Sequence, residues 1–251
     1  VAVQHDQAIC IRQWDFSETS QTVSLFARAL GGVRALAKGA RRERGSFSGG
    51  IDLLTVGEIG IIVKRDSDLA TLTEWDVQET FPRLRDDLGS NRAGWYVADV
   101  LGRMLPPLDP HPALFGTTLD LLRALGRGEA IDTCMLRFQW TLLVETGWQP
   151  DLTDPDPSAP TLAFDPREGR CVPDAGDAGT WRVRRQTLET LQHVMDGASE
   201  AGDVVSVQRA NKLLAAHIRN VLGEEPATMA WTFGKLPVGG GVPQHRVARP
   251  R

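Results

Sequence analysis

The chain is poor in cysteine. Among 251 residues there are three, Cys10, Cys134 and Cys171. They are odd in number and far apart, which argues against a disulfide framework and suits a reducing compartment. No apolar run approaches the roughly 20 residues that a membrane-spanning helix needs. The opening VAVQHDQAIC lacks a basic region followed by an apolar one, so no secretory signal is expected and the protein reads as cytoplasmic. Catalytic signatures are also missing. GGVRALAKGA lacks the G-x-x-x-x-G-K-[ST] order of a phosphate loop. Cys134 and His217 read as packing residues on helices, and no nucleophile–base–orienter set assembles from spacing. An enzyme is not expected; it would need a metal or a reactive thiol that the sequence does not offer.

What is present is an ordinary globular composition, 41% hydrophobic and 24% charged, with a net charge of -4. Residues 8–80 hold five strand-like runs: AICIRQW, TVSLFARAL, GGVRALAKG, IDLLTVGEIGIIVKR and LATLTEWDV. Turn residues such as DFSETS and KRDSD separate them. Alternation sets Ala8, Cys10 and Arg12 against Ile9, Ile11 and Gln13. It also sets Leu69, Thr71, Thr73, Trp75 and Val77 against Ala70, Leu72, Glu74 and Asp76. Five short strands with internal glycines suit a Greek-key barrel of the OB type, and an SH3-like barrel fits the same pattern.

Beyond ETFPRLRDD the period becomes helical. Pro82 suits a first helical position, and Leu84, Leu88, Trp95, Ala98, Leu101 and Leu105 recur along one helix that MLPPLDPHP breaks. Further helices are expected at about 113–125, 130–146, 185–196 and 204–222. Residues 149–180, rich in Pro, Asp and Gly, read as an irregular loop. The expected layout is a barrel over 1–80, an all-α domain over 81–233 and a disordered basic tail over 234–251, carrying Arg246, Arg249 and Arg251.

Positive charge is concentrated in one place. Residues 28–44 carry Arg28, Arg34, Lys38, Arg41, Arg42 and Arg44 against a single acid, Glu43, inside an acidic chain. Clustered cations repel unless an anion neutralises them. The glycines at 39, 45, 49 and 50 allow close backbone approach, and phosphate polymers are the natural partner. A mobile loop that is basic by chance or for solubility is the competing reading. Phe47, Phe26 and Trp14 lie near the loop; some could stack bases, but each reads first as core or loop anchor. A second basic run, WRVRRQ, brings Arg182, Arg184 and Arg185 to a helix start, either as a further DNA contact or as surface arginines. Trp95, Leu101, Phe138 and Trp140 could line a groove for a partner tail or belong to the core. Arg123 and Arg127 could meet an acidic tail or complement a helix dipole.

DFSETSQTVSLFARALGGVRALAKGARR, LTEWDVQETFPRLRDDL, VETGWQPDL and MAWTF resemble the bacterial RecO family of recombinational DNA repair proteins, over about residues 1–233. The resemblance implies an N-terminal OB-fold, a helical C-terminal domain and no catalytic site. It implies binding of single- and double-stranded DNA, annealing of complementary strands, and help in loading RecA onto gaps covered by single-strand-binding protein. The implied partners are DNA, RecR and the acidic C-terminal tail of single-strand-binding protein, on the nucleoid; no membrane partner and no cofactor are implied. The KGARR match puts Lys38, Arg41 and Arg42 on DNA, with Arg34 and Arg44 as neighbours. A non-catalytic adaptor whose basic loop binds acidic proteins is the alternative. Many RecO-like chains carry a four-cysteine zinc site after GWQPDL. Here TDPDPSAP and GRCVPDAGD keep only Cys171, and no histidine is close in sequence, so no metal is expected.

Overall fold

The five strand-forming runs close into a barrel. In a computed structural model, β1 (Gln4–Asp15), β2 (Gln21–Ala27), β3 (Gly31–Ala37), β4 (Val56–Ile62) and β5 (Ala70–Glu79) follow the order β1-β2-β3-β5-β4. β1 pairs back onto β4, and the only parallel contact within the barrel joins β3 to β5. This is the OB arrangement rather than the SH3-like alternative. The structure describes residues 2–42, 47, 50–64, 67–129, 131–159, 161–177, 179–197 and 203–236. The chain divides into two compact units, Val1–Glu129 and Ala130–Arg251. Of the tail expected over 234–251, residues 234–236 are described, with Leu236 buried, and 237–251 lie outside the described residues.

Inward positions of the barrel are Ala8, Cys10, Val23, Leu25, Val33, Ala35, Ala37, Ile59, Ile61 and Leu72, packed around Trp75. The alanines leave the volume that the indole fills, and packing at interior density rewards that match. Two bulges reset the expected faces. On β5, Leu72 opposes Ile61 and Glu74 opposes Gly60, leaving Thr73 as the extra residue, its hydroxyl donating to the Gly60 carbonyl at 2.9 Å. The phase shifts by one, and Trp75 joins Ala70 and Leu72 inside instead of Thr71 and Thr73. On β1, Cys10 opposes Leu25 and Arg12 opposes Ser24, with Ile11 as the extra residue. Ala8 and Cys10 stay inside, while Arg12 turns outward, away from the face that simple alternation gave it.

Within the first unit, α1 (Arg83–Asp86), α2 (Leu88–Met104) and α3 (Pro112–Arg127) follow the barrel. The single helix expected from Pro82 to Leu105 is interrupted at Asp87. Its backbone is extended and its carboxylate caps α2 by accepting from the Ser90 N–H at 2.8 Å. That hydrogen bond also holds the Asp87 carboxyl below its ordinary pKa. The buried stripe of α2 is Ala93, Tyr96, Val97, Val100 and Leu101, whereas Leu88 and Trp95 are exposed.

The second unit contains α4 (Asp132–Glu145), α5 (Arg185–Met195), α6 (Val204–Leu222) and α7 (Ala227–Phe233). A buried amide pair ties α4 to α6: Gln139 Nε2 donates to Asn211 Oδ1 at 2.8 Å. The stretch 149–180 is not wholly irregular. β6 (Thr161–Asp165) and β7 (Arg170–Val172) form a hairpin, and β8 (Trp181–Arg184) pairs on the other side of β6. Phe164 of this sheet stacks on Trp181, with centroids 5.6 Å apart, and meets the His217 ring edge-on at 5.5 Å. Among the described residues, no helix is long and apolar enough to cross a membrane.

Candidate nucleic-acid interface

The basic segment leaves the barrel at the end of β3 and folds into a tight turn beside the β1–β2 turn. Gly39 adopts φ +71, which favours glycine, and its N–H donates to Ser20 Oγ at 3.2 Å. The Arg41 N–H donates to the Thr19 carbonyl and the Arg42 N–H to the Gly39 carbonyl, each at 3.1 Å. Ala40 is buried and anchors the turn, while Lys38, Arg41 and Arg42 are exposed. The Arg41 guanidinium pairs with Asp15 at the end of β1. Arg34 stands exposed on β3, opposite Ser24 of β2. Strand alternation puts it on the same outer face as Lys38, about 13 Å away at four strand rises. Arg28 lies at the β2–β3 turn, at the other end of β3, and is separate from this cluster. Arg44 lies outside the described residues.

Register shows what shares that face. Going outward from the middle, the cross-strand rows are Arg12–Ser24–Arg34 and Trp14–Thr22–Leu36. The Phe16 N–H donates to the Ser20 carbonyl at 3.0 Å, which extends the ladder by one rung and sets Phe16 opposite Ser20, whose hydroxyl accepts from the Gly39 N–H next to Lys38. The two ends of this face differ. Near Arg12, α2 closes over it: Arg12 pairs with Asp99 at 3.1 Å, and Ser24 and Arg34 line a cavity of about 910 Å³ walled by Leu101 and Leu105. Near the basic turn it is open, and Trp14 and Phe16 are 45% and 63% exposed. The sequence reading of Trp14 as core or anchor is therefore corrected. The bulge at Ile11 that turns Arg12 outward turns Trp14 outward with it.

The second basic run sits in another setting. Trp181 and Val183 are buried while Arg182 and Arg184 are exposed, so WRVR alternates as strand β8 and the helix begins only at Arg185. Arg182 pairs with Asp174 at 2.6 Å. Arg185 clamps the preceding loop: it pairs with Asp154 and donates to the carbonyls of Asp156 and Ala159 at 2.7 Å and 2.6 Å. A residue held by three acceptors is poorly placed to take a phosphate, so Arg184 is the most open cation of this run.

Trp95 and Leu101 belong to the first unit, Phe138 and Trp140 to the second, and Leu101 and Phe138 are fully buried core residues. Arg123 grips Glu79 of β5 through two hydrogen bonds, at 2.6 Å and 2.9 Å, and this ion pair holds the Glu79 carboxyl below its usual pKa. Cys171 is buried on β7, and burial pushes its thiol up to about 11. His217, distant in sequence, is brought against Phe164, and its Nε2–H donates to the Trp148 carbonyl at 3.0 Å. Among the described residues, no group of three or more His, Cys, Asp or Glu side chains could hold a metal ion.

Residues 2–81 match the family model described as Recombination protein O N terminal, and residues 85–229 match the one described as Recombination protein O C terminal. Curated relatives named DNA repair protein RecO align along the chain. The one from Laribacter hongkongensis is 31% identical over 233 residues, covering 91% of this chain and 93% of the relative. The one from Roseiflexus sp. is 26% identical over 242 residues, covering 91% and 84%. The one from Rhodopirellula baltica is 40% identical over 129 residues, covering 51% of this chain and 48% of the relative.

Proposed function

The chain belongs to the RecO family of recombinational DNA repair proteins, and from that premise we propose that its barrel binds DNA through the turn after β3. Lys38, Arg41 and Arg42 contact phosphates of single- and double-stranded DNA, with Arg34 and Arg44 extending the contact. The carrying observation is the gathering of exposed Lys38, Arg41 and Arg42 into one turn pinned to Ser20 and Thr19, in a chain of net charge -4. Each cation that displaces counterions from a phosphate adds affinity without any bond being made or broken. Neutralising two backbones at one site lowers the repulsion between complementary strands and promotes annealing. On this reading the protein is a mediator without chemistry of its own. It helps load RecA onto gaps covered by single-strand-binding protein and works with RecR and that protein's acidic tail. Its place is the nucleoid in the cytoplasm.

Fluorescence anisotropy of a labelled single strand, titrated at several salt concentrations, tests this. The Lys38→Ala/Arg41→Ala/Arg42→Ala variant should lose most of the affinity. Its salt slope should shrink by about 2, at about 0.7 per phosphate contact on single strands. Unchanged binding by the variant would move the DNA site elsewhere. No binding to DNA even at low salt would favour the adaptor alternative.

A further inference from the structure

The open part of the barrel's outer face has an ordered chemistry across its three strands. β1 and the turn after it present Trp14 and Phe16, that turn and β2 present Ser20 and Thr22, and β3 with its turn presents Leu36 and Lys38. The middle strand carries the smallest side chains, so a shallow trough runs along β2 between an aromatic edge and a basic edge. The two edges lie two interstrand spacings apart, about 9.6 Å. The aromatic edge is costly to leave in water. Trp14 and Phe16 are 45% and 63% exposed, and two large rings on one face, beside a cationic turn, mark a recognition surface rather than scattered exposure. Asp15, between them in sequence, points to Arg41 and fixes the basic turn to the same hairpin end.

We infer that this trough holds a single nucleic-acid strand with its bases on Trp14 and Phe16 and its phosphates toward Lys38, Arg41 and Arg42. The inference rests on the DNA-binding reading of the basic turn and adds the element that distinguishes unpaired from paired strands. Charge complementarity supplies the phosphate side. Every base has a face that stacks on an aromatic ring, so the aromatic side is tolerant of sequence. Spacing supplies the discrimination. Trp14 and Phe16 are two strand rises apart, about 6.6 Å. Neighbouring nucleotides on one strand of B-form DNA are separated by about 3.4 Å along the axis. Consecutive bases therefore reach both rings only on a strand drawn out to about twice its duplex rise. In a duplex the base faces are already stacked on one another and are not offered.

The test uses the full chain and three labelled probes of equal length: oligo-dT, an abasic oligomer with the same phosphates, and a duplex. Wild type should bind oligo-dT more tightly than the abasic oligomer. Trp14→Ala/Phe16→Ala should weaken oligo-dT binding by roughly five- to hundredfold per ring while leaving the abasic and duplex affinities and the salt slope unchanged. Trp14→Phe should recover most of the loss, because a ring remains. Both positions are exposed, so the variants should melt with wild type by circular dichroism. Equal wild-type affinity for oligo-dT and the abasic oligomer overturns the inference, as does a loss that falls equally on all three probes. If the Lys38→Ala/Arg41→Ala/Arg42→Ala variant loses binding while the aromatic variant keeps it, only the stacking fails. If neither variant changes binding, the DNA site itself is elsewhere.

Discussion

Asp15 competes with DNA for Arg41. In the unbound protein the Arg41 guanidinium pairs with this carboxylate, with the two side chains 41% and 66% exposed. To reach a phosphate, Arg41 must give up or share that partner, and the carboxylate left behind repels the incoming backbone. Asp15→Asn removes both effects and keeps the shape and a hydrogen-bond acceptor. An exposed ion pair contributes about 0–1 kcal/mol. Two unit charges about 4 Å apart in water repel by about 1 kcal/mol before salt screening. The sum, about 1–2 kcal/mol, is a gain of about five- to thirtyfold in affinity. The salt slope should steepen as well, by up to about 0.7 on a single strand, because Arg41 then displaces counterions that Asp15 had kept away. Anisotropy titrations of oligo-dT from about 50 to 200 mM salt, the range over which phosphate contacts are strongly screened, measure both quantities at once. The reasoning is refuted if Asp15→Asn binds no more tightly than wild type at the lowest salt, or if its gain is no smaller in the Arg41→Ala background, where only the repulsion is left to relieve.

Gly31, at φ +74, begins β3, and a Cβ there would overlap the Asp109 carbonyl in the loop that Leu108 N–H ties to Gly32 O at 2.8 Å. Gly31→Ala should cost about 3 kcal/mol in urea unfolding, from left-handed strain and a disrupted hydrogen bond; Gly116→Ala, in open space on α3, should be neutral or mildly stabilising, and equal midpoints would refute the contrast. Burial depresses the pKa of His217 below its ordinary 6.5. The unfolded chain therefore takes up a proton near 6.5 that the folded chain resists, and stability that is full above about 6.5 declines as pH falls toward the folded value. Hydrogen exchange over α6 should show this loss in wild type and a flatter profile in His217→Gln; parallel profiles would sink it.

The local elements were legible because their signals are local. Five β-rich runs, the helices near 185–196 and 204–222, and the basic turn each follow from composition, period and punctuation within a dozen residues. The strands β6 and β7 were not legible. They are short and set among Pro, Asp and Gly; β7 pairs with β6, and the other side of β6 is paired by β8, which follows the loop. Nor did spacing reveal that Arg185, open to reading as a further DNA contact or as a surface arginine, would be held by Asp154 and by the carbonyls of Asp156 and Ala159.

The division is sharpest at the candidate site. The sequence alone determined that positive charge would collect between Arg34 and Arg44, since a run of cations separated by small residues is basic in any fold. Which residues face the same way as that charge was decided by tertiary structure. A single extra residue at Ile11 inverts every side chain after it, because strands alternate with a period of 2. That inversion takes Trp14 from the barrel interior to the open face, and cross-strand register then sets it level with Thr22 and Leu36. Bulges arise from how two strands meet, and no stretch of either strand read by itself carries that information.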